Sequence, residues 1–197
     1  LGGGAGYRAG SSTVYGSSFK GDVTGSSSAS NYVGGITGRH SSDQELELSI
    51  VYGNSSITGA NYTGGVAGKI DNIAQGKTLK LLASLADVTG TDYVGGIAGE
   101  IEGTTTDFTV QYNYVSGDIL GENTVGGLVG KFDDFAGYVV EYNVITSIAS
   151  STIGVAEVDP SVEQPWSAVG VTSYFDNERA LESSSQAATG KSTADMK

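Results

Sequence analysis

His40 is the single histidine among 197 residues, and there is no cysteine. A transition-metal site needs several nitrogen or sulfur ligands, so this inventory excludes the common ones, along with disulfides and thiolate nucleophiles. His40 follows Gly38 and Arg39, and the expectation from sequence is an exposed surface residue with no chemical role. Serines are plentiful, yet no Gly-x-Ser-x-Gly elbow occurs and nothing assembles a Ser/His/Asp set. The carboxylates offer more. Asp133 and Asp134, and the group Glu157, Asp159 and Glu163, could supply the several oxygens that Ca²⁺ requires. Neither an Asp-x-Asp-x-Asp-Gly loop nor a Gly-Gly-x-Gly-x-Asp nonapeptide is present, so a solvated acidic surface is the simpler expectation and no cofactor is required. Paired carboxylates could also hydrolyse glycosidic bonds, but no spacing places two of them on one face. Ala188-Thr189-Gly190-Lys191-Ser192 has the last residues of a phosphate-binding loop; Ser185 stands where its first glycine belongs. Eleven tyrosines could stack on sugars, although Tyr52, Tyr112 and Tyr142 are expected as half-buried residues of strands.

These residues sit within a repeat. Val33-Gly34-Gly35-Ile36-Thr37-Gly38 recurs as Thr63-Gly64-Gly65-Val66-Ala67-Gly68, as Val94-Gly95-Gly96-Ile97-Ala98-Gly99 and as Val125-Gly126-Gly127-Leu128-Val129-Gly130. Leu1-Gly2-Gly3-Gly4-Ala5-Gly6 is a further copy in which Gly4 replaces the aliphatic residue, and Ile153-Gly154-Val155-Ala156 is a decayed one. The period is about 31 residues, within the range of stacked repeat architectures. Because the chain opens inside a copy, a processed product or an excised fragment is expected.

Within each period lies an alternating run. Leu46, Leu48, Ile50 and Tyr52 alternate with Glu45, Glu47, Ser49 and Val51, and comparable runs occur at Phe108–Tyr112 and Tyr138–Tyr142. Period two predicts a strand with one buried face. A short third piece follows, as in Asp22-Val23-Thr24-Gly25 and Asp87-Val88-Thr89-Gly90. The leucine-rich stretch from Thr78 to Asp87 falls in phase with these strands and is read as strand, not helix.

A unit of this kind has one apolar face and cannot bury it alone. Stacking the units at about 4.8 Å pairs each strand with its equivalents above and below. The predicted fold is all-β: a β-solenoid, taken as a right-handed β-helix, of five to six coils. Residues 1–152 form the repeats, 153–176 a C-terminal coil and cap carrying Trp166 or Phe175, and 177–197 a polar tail or strap. Ile36, Val66, Ile97 and Leu128 should form one buried column, and Val23, Ile57, Val88 and Ile119 another. The glycines at corners answer a need for positive φ or close backbone approach. Asn31, Asn61, Asp92 and Asn123 should lie at a turn and bond backbone amides.

The repeat strings resemble the GLUG motif of bacterial surface proteins, with Gly127-Leu128-Val129-Gly130 the nearest copy. The run from Ser173 to Asp176 and the Thr189-Gly190-Lys191-Ser192-Thr193-Ala194-Asp195-Met196 tail are similar to segments that follow such arrays. The resemblance implies a secreted or cell-surface bacterial protein, an adhesin or the non-catalytic region of an immunoglobulin A peptidase. It supplies no catalytic residues. The formal charge of −12 argues against nucleic acid or an anionic membrane as partner, and no apolar run reaches a membrane span. Expected partners are flanking domains of a longer protein or copies of itself, and a host or surface glycan or protein. Three functions follow in order: a rigid structural or adhesive module, a self-assembling filament subunit, and a polysaccharide-active β-helix enzyme.

Overall fold

The computed structural model describes residues 1–11, 13–25, 32–41, 45–103, 108–133, 138–146, 157–158, 174–176, 189–192 and 194–195. They form a β-solenoid with strands and no helix. Each coil visits four parallel sheets in turn, and four coils are complete among these residues. Sheet 1 stacks Ala5–Ala9, Thr37–Ser41, Ala67–Asp71, Ala98–Glu102, Val129–Asp133 and Glu157–Val158. Sheet 2 holds the long strands Leu46–Val51 and Thr78–Ser84. In the next two coils that strand is split, into Phe108–Gln111 with Tyr114–Val115 and Tyr138–Glu141 with Val144–Ile145. Sheet 3 stacks Val23–Thr24, Ser56–Thr58, Asp87–Thr89 and Ile119–Leu120. Sheet 4 stacks Tyr32–Gly34, Tyr62–Gly64, Val94–Gly95 and Val125–Gly126.

The register puts equivalent residues on successive rungs. Val23, Ile57, Val88 and Ile119 are direct partners in sheet 3. Ile36, Val66, Ile97 and Leu128 are buried and joined amide to carbonyl, Ile36 N to Val66 O at 2.9 Å, Val66 N to Ile97 O at 3.0 Å and Ile97 N to Leu128 O at 2.8 Å. Each rung buries aliphatic surface that a lone unit would leave in water, at about 25 cal/mol per Å². The double glycines serve close approach rather than positive φ. A Cβ on Gly64 or Gly95 would lie 2.0 Å from the carbonyl oxygen of Ala67 or Ala98.

Sheet 2 departs from simple alternation. Leu48, Leu81, Tyr112 and Tyr142 have φ of 50°, 57°, 55° and 55°, the left-handed region that costs an L-residue about 1–2 kcal/mol. This bulge shifts the phase by one residue in every coil. Leu46, Ser49 and Val51 are buried, whereas Leu48 and Tyr52 are exposed, so the expected buried row of Leu46, Leu48, Ile50 and Tyr52 is corrected. A bulge also breaks ladder hydrogen bonds, and two buried asparagines replace them. Leu82 N donates to Asn113 Oδ1 and Asn113 N to Asn143 Oδ1, both at 3.0 Å. Their amides return the bonds, Asn143 Nδ2 to Val110 O at 3.0 Å and Asn113 Nδ2 to Asn143 Oδ1 at 2.9 Å.

His40 is a second correction. It is fully buried, in a core column with Ile70, Ile101 and Phe132, and stands in register with Arg8. Arg39 and His40 face opposite sides of their strand, and the rungs above fix which side is core.

Thr63 occupies a column otherwise made of Val33, Val94 and Val125. It is fully buried, and its Oγ1 has no hydrogen-bond partner. An unsatisfied buried hydroxyl costs about 1–3 kcal/mol. Thr63→Val is therefore expected to raise stability by about 1–2 kcal/mol, measured by urea denaturation. A destabilised variant would show that the hydroxyl is satisfied.

At the C-terminal end, Tyr174–Asp176 pairs with the last rung of sheet 2, placing Phe175 beside Ile145, and Thr189–Lys191 pairs with it in turn. Trp166 lies outside the described residues.

Candidate functional site

Two surfaces combine chemistry-bearing residues with fixed geometry. The first is the face of sheet 1 opposite the His40 column. Register stacks Arg39, Lys69, Glu100 and Lys131 on successive rungs, with Asp71, Glu102 and Asp133 two residues further along. Arg39 and Lys69 are like charges side by side, and each takes its own carboxylate. Arg39 Nη2 lies 2.6 Å from Asp71 Oδ2, and Lys69 Nζ pairs with Glu100 and, at 2.5 Å, with Glu102. Lys131 pairs with Asp133 at 3.3 Å. A tyrosine column from sheet 4 flanks the cations. Tyr32, Tyr62 and Tyr93 stack with centroids 5.1 Å apart, and Arg39, Lys69 and Lys131 lie 5.3–5.4 Å from their respective ring centroids.

Burial works against the charge on Lys69, but the bonds from Glu100 and Glu102 outweigh it and hold the ammonium pKa well above its ordinary value. Burial also pushes the Glu100 carboxyl up, against the pull of Lys69. Such a network is a strip of paired charges, in which three cations engage four carboxylates.

Of the calcium candidates, Asp133 and Glu157 fall on described strands of sheet 1. Asp133 ends a strand of sheet 1 with Lys131 as its partner. Glu157 begins the following strand, in register with Lys131. Asp134, Asp159 and Glu163 lie outside the described residues. Among the described residues no three acidic or histidine side chains form a group that could hold a metal. The run Thr189–Lys191 is a paired strand rather than a phosphate-binding loop. In the corner column, Asn123 donates to the Asp92 carboxylate on the neighbouring rung; Asn31 lies outside the described residues. Carboxylates beside sheet 3 meet backbone amides, Ser56 N donating to Asp22 and Asp118 N to Asp87, each at 3.0 Å.

The second surface is the solvent side of sheet 2. The bulge that breaks alternation pushes Leu48, Leu81, Tyr112 and Tyr142 outward as one column, each 44–50% exposed. Beside it run Ile50, Ala83, Tyr114 and Val144 in register. Four rungs of Leu and Tyr, flanked by a half-buried column whose exposed member is Tyr114, make an apolar strip, a feature of interaction surfaces. The Tyr112 and Tyr142 rings stack with centroids 5.1 Å apart and planes 8° from parallel. Their faces are turned toward each other along the rod, leaving edges and hydroxyls outward. A sugar ring stacks on an open face, so this arrangement suits a protein surface better. Tyr52, Tyr112 and Tyr142, expected as half-buried strand residues, lie just past strand ends and are exposed; the strip was missed because a left-handed residue has no marker when Leu and Tyr occupy it. The available signal was the Tyr112-Asn113 and Tyr142-Asn143 pair, 30 residues apart in the sequence.

No family model, curated protein or solved structure matches the chain.

Proposed function

We propose that the chain is a non-catalytic structural and adhesive module of a bacterial secreted or cell-surface protein, a rigid repeat rod of the GLUG type. The observation that carries this reading is the exposed strip on sheet 2. Its residues are held on rungs that cannot move independently, so the rod presents a long preorganised contact surface. The bacterial surface location rests on the resemblance of the repeats. The test is retention of rod-coated beads on a panel of immobilised extracellular proteins and polysaccharides. Retention on at least one protein is expected, with a loss of about tenfold or more in Leu48→Glu/Leu81→Glu, two exposed sites where Tm should hold. Retention equal to wild type in that variant would sink the proposal.

A filament subunit, in which a further copy adds rungs to these parallel sheets, is the second reading. Against it, Arg8 stands in register with the core residue His40, and a charge there discourages edge-to-edge stacking. Sedimentation and electron microscopy should find single short rods. A polysaccharide-active enzyme has the least support, since the sheet 1 carboxylates described above are engaged by cations; turnover of acidic glycans would revive it.

A further inference from the structure

We propose that Tyr112 and Tyr142 are an oxidative modification site, joined by hydrogen peroxide and a haem peroxidase into a dityrosine that staples two successive coils. Both residues occupy the left-handed bulge position, with φ of 55° each, so their side chains leave the backbone in the same direction. Register fixes them on neighbouring rungs. Gln111 pairs with Glu141 on one side and Tyr114 with Val144 on the other, and the buried amides of Asn113 and Asn143 tie the next residues together. The rings lie face to face, 5.1 Å between centroids and 8° from parallel, and both are exposed. Phenols on separate molecules meet only by diffusion, whereas two held on adjacent rungs have an effective concentration far above that of the protein. With no cysteine in the chain, a disulfide cannot supply such a link. The site stands whether or not the strip also contacts a protein.

Each phenol loses one electron and its hydroxyl proton, which leaves unpaired density on the ring carbons ortho to oxygen. One ortho carbon of each ring bonds to the other, and the two ring hydrogens displaced there move to the phenol oxygens. Hydrogen peroxide takes up the two electrons and two protons and becomes two waters. Exposed side chains change rotamer fast enough to bring the ortho carbons edge to edge. The other stacked tyrosines among the described residues are disfavoured. Arg39, Lys69 and Lys131 lie over the rings of Tyr32, Tyr62 and Tyr93, and a cation above a ring opposes removal of an electron from it. Burial also pushes the Tyr62 phenol up, so its proton leaves less readily. Exposed Tyr114 has no aromatic neighbour in register, because Ala83 and Val144 flank it.

The test treats the whole chain, at low protein concentration, with a haem peroxidase and hydrogen peroxide and reads dityrosine fluorescence and peptide masses. Trypsin cuts after Lys131, between the two tyrosines, so the crosslink appears as two peptides held together and lighter by two hydrogens. This pair is expected in a monomeric product, with a rise in Tm of roughly 5 °C or more, since closing a loop across coils restricts the unfolded chain. Tyr112→Phe and Tyr142→Phe should each lower the yield of the pair by about tenfold or more, as expected when a held partner is lost, whereas Tyr93→Phe should leave it unchanged. Phenylalanine keeps the ring and removes only the hydroxyl, and the Tm of each untreated variant checks its fold. A crosslinked pair that survives Tyr142→Phe, dityrosine confined to dimers of the chain, or no dityrosine at all would overturn the proposal.

Discussion

Gly96→Ala should lose about 3 kcal/mol or more of stability, at the upper end of what overpacking costs. A Cβ there would lie 2.3 Å from the carbonyl oxygen of Gly127 and 2.3 Å and 2.9 Å from the two methyls of Val115. Val115 is buried and cannot swing away, and the Gly127 carbonyl belongs to the next rung. Relief requires parting two coils, which would strain the pairings of sheets 1 and 4 on either side of the corner. The expected fall in Tm is about 6–12 °C at about 2–4 °C per kcal/mol for a chain of this size. Gly76→Ala is the control. Gly76 has φ +74° and open space around its Cβ position, so only backbone strain of about 1 kcal/mol applies. Denaturant midpoints separate the two. A Gly96→Ala protein within 1 kcal/mol of wild type would mean that the corner is not close-packed.

The same corner shows what could be read from the chain. A glycine pair at a period of about 31 residues announces a stacked repeat, because only stacking makes a steric demand recur at fixed spacing. The columns of Ile36 and Val23 follow from repeat phase without any structural knowledge. So does the strand at Thr78–Ser84, where the phase prevails over a helical composition. His40 was legible by the same rule, since Arg39 aligns with Lys69 and the next residue aligns with Ile70. The error came from treating polarity as exposure. The sheet 2 bulge left one trace, the repeated pair Tyr112-Asn113 and Tyr142-Asn143. Alternation of Leu46, Leu48 and Ile50 fits an ordinary strand, and the left-handed φ arises from closing a coil against its neighbours, which is not a local preference. The ion-pair strip on sheet 1 lay between these cases. Its charges were visible, but their pairing depends on register across coils.

That strip holds the second large effect, at Lys69. Lys69→Met should cost about 3–5 kcal/mol at neutral pH, because it leaves Glu100 buried without its cation. Methionine keeps most of the aliphatic stem, so the loss is chiefly electrostatic. Glu100→Gln in the same chain should recover most of it, since a neutral amide carries no unpaired charge; each single variant and the double variant close a cycle. The pH dependence supplies an independent sign. Burial already holds the Glu100 carboxyl above its ordinary pKa, and removing Lys69 takes away a force that lowers it. In Lys69→Met the folded state therefore binds a proton more readily than the unfolded state. Stability then rises as pH falls from neutral through the raised carboxyl value, and the deficit relative to wild type narrows. For wild type the raised ammonium value works at the opposite end. Its contribution is complete below the ordinary lysine range and is lost as pH climbs through the folded value. Urea denaturation of both proteins from pH 4.5 to 8 reads the difference. A Lys69→Met deficit that stays constant across this window would show that Glu100 is hydrated rather than buried, and that the strip contributes no more than a surface salt bridge.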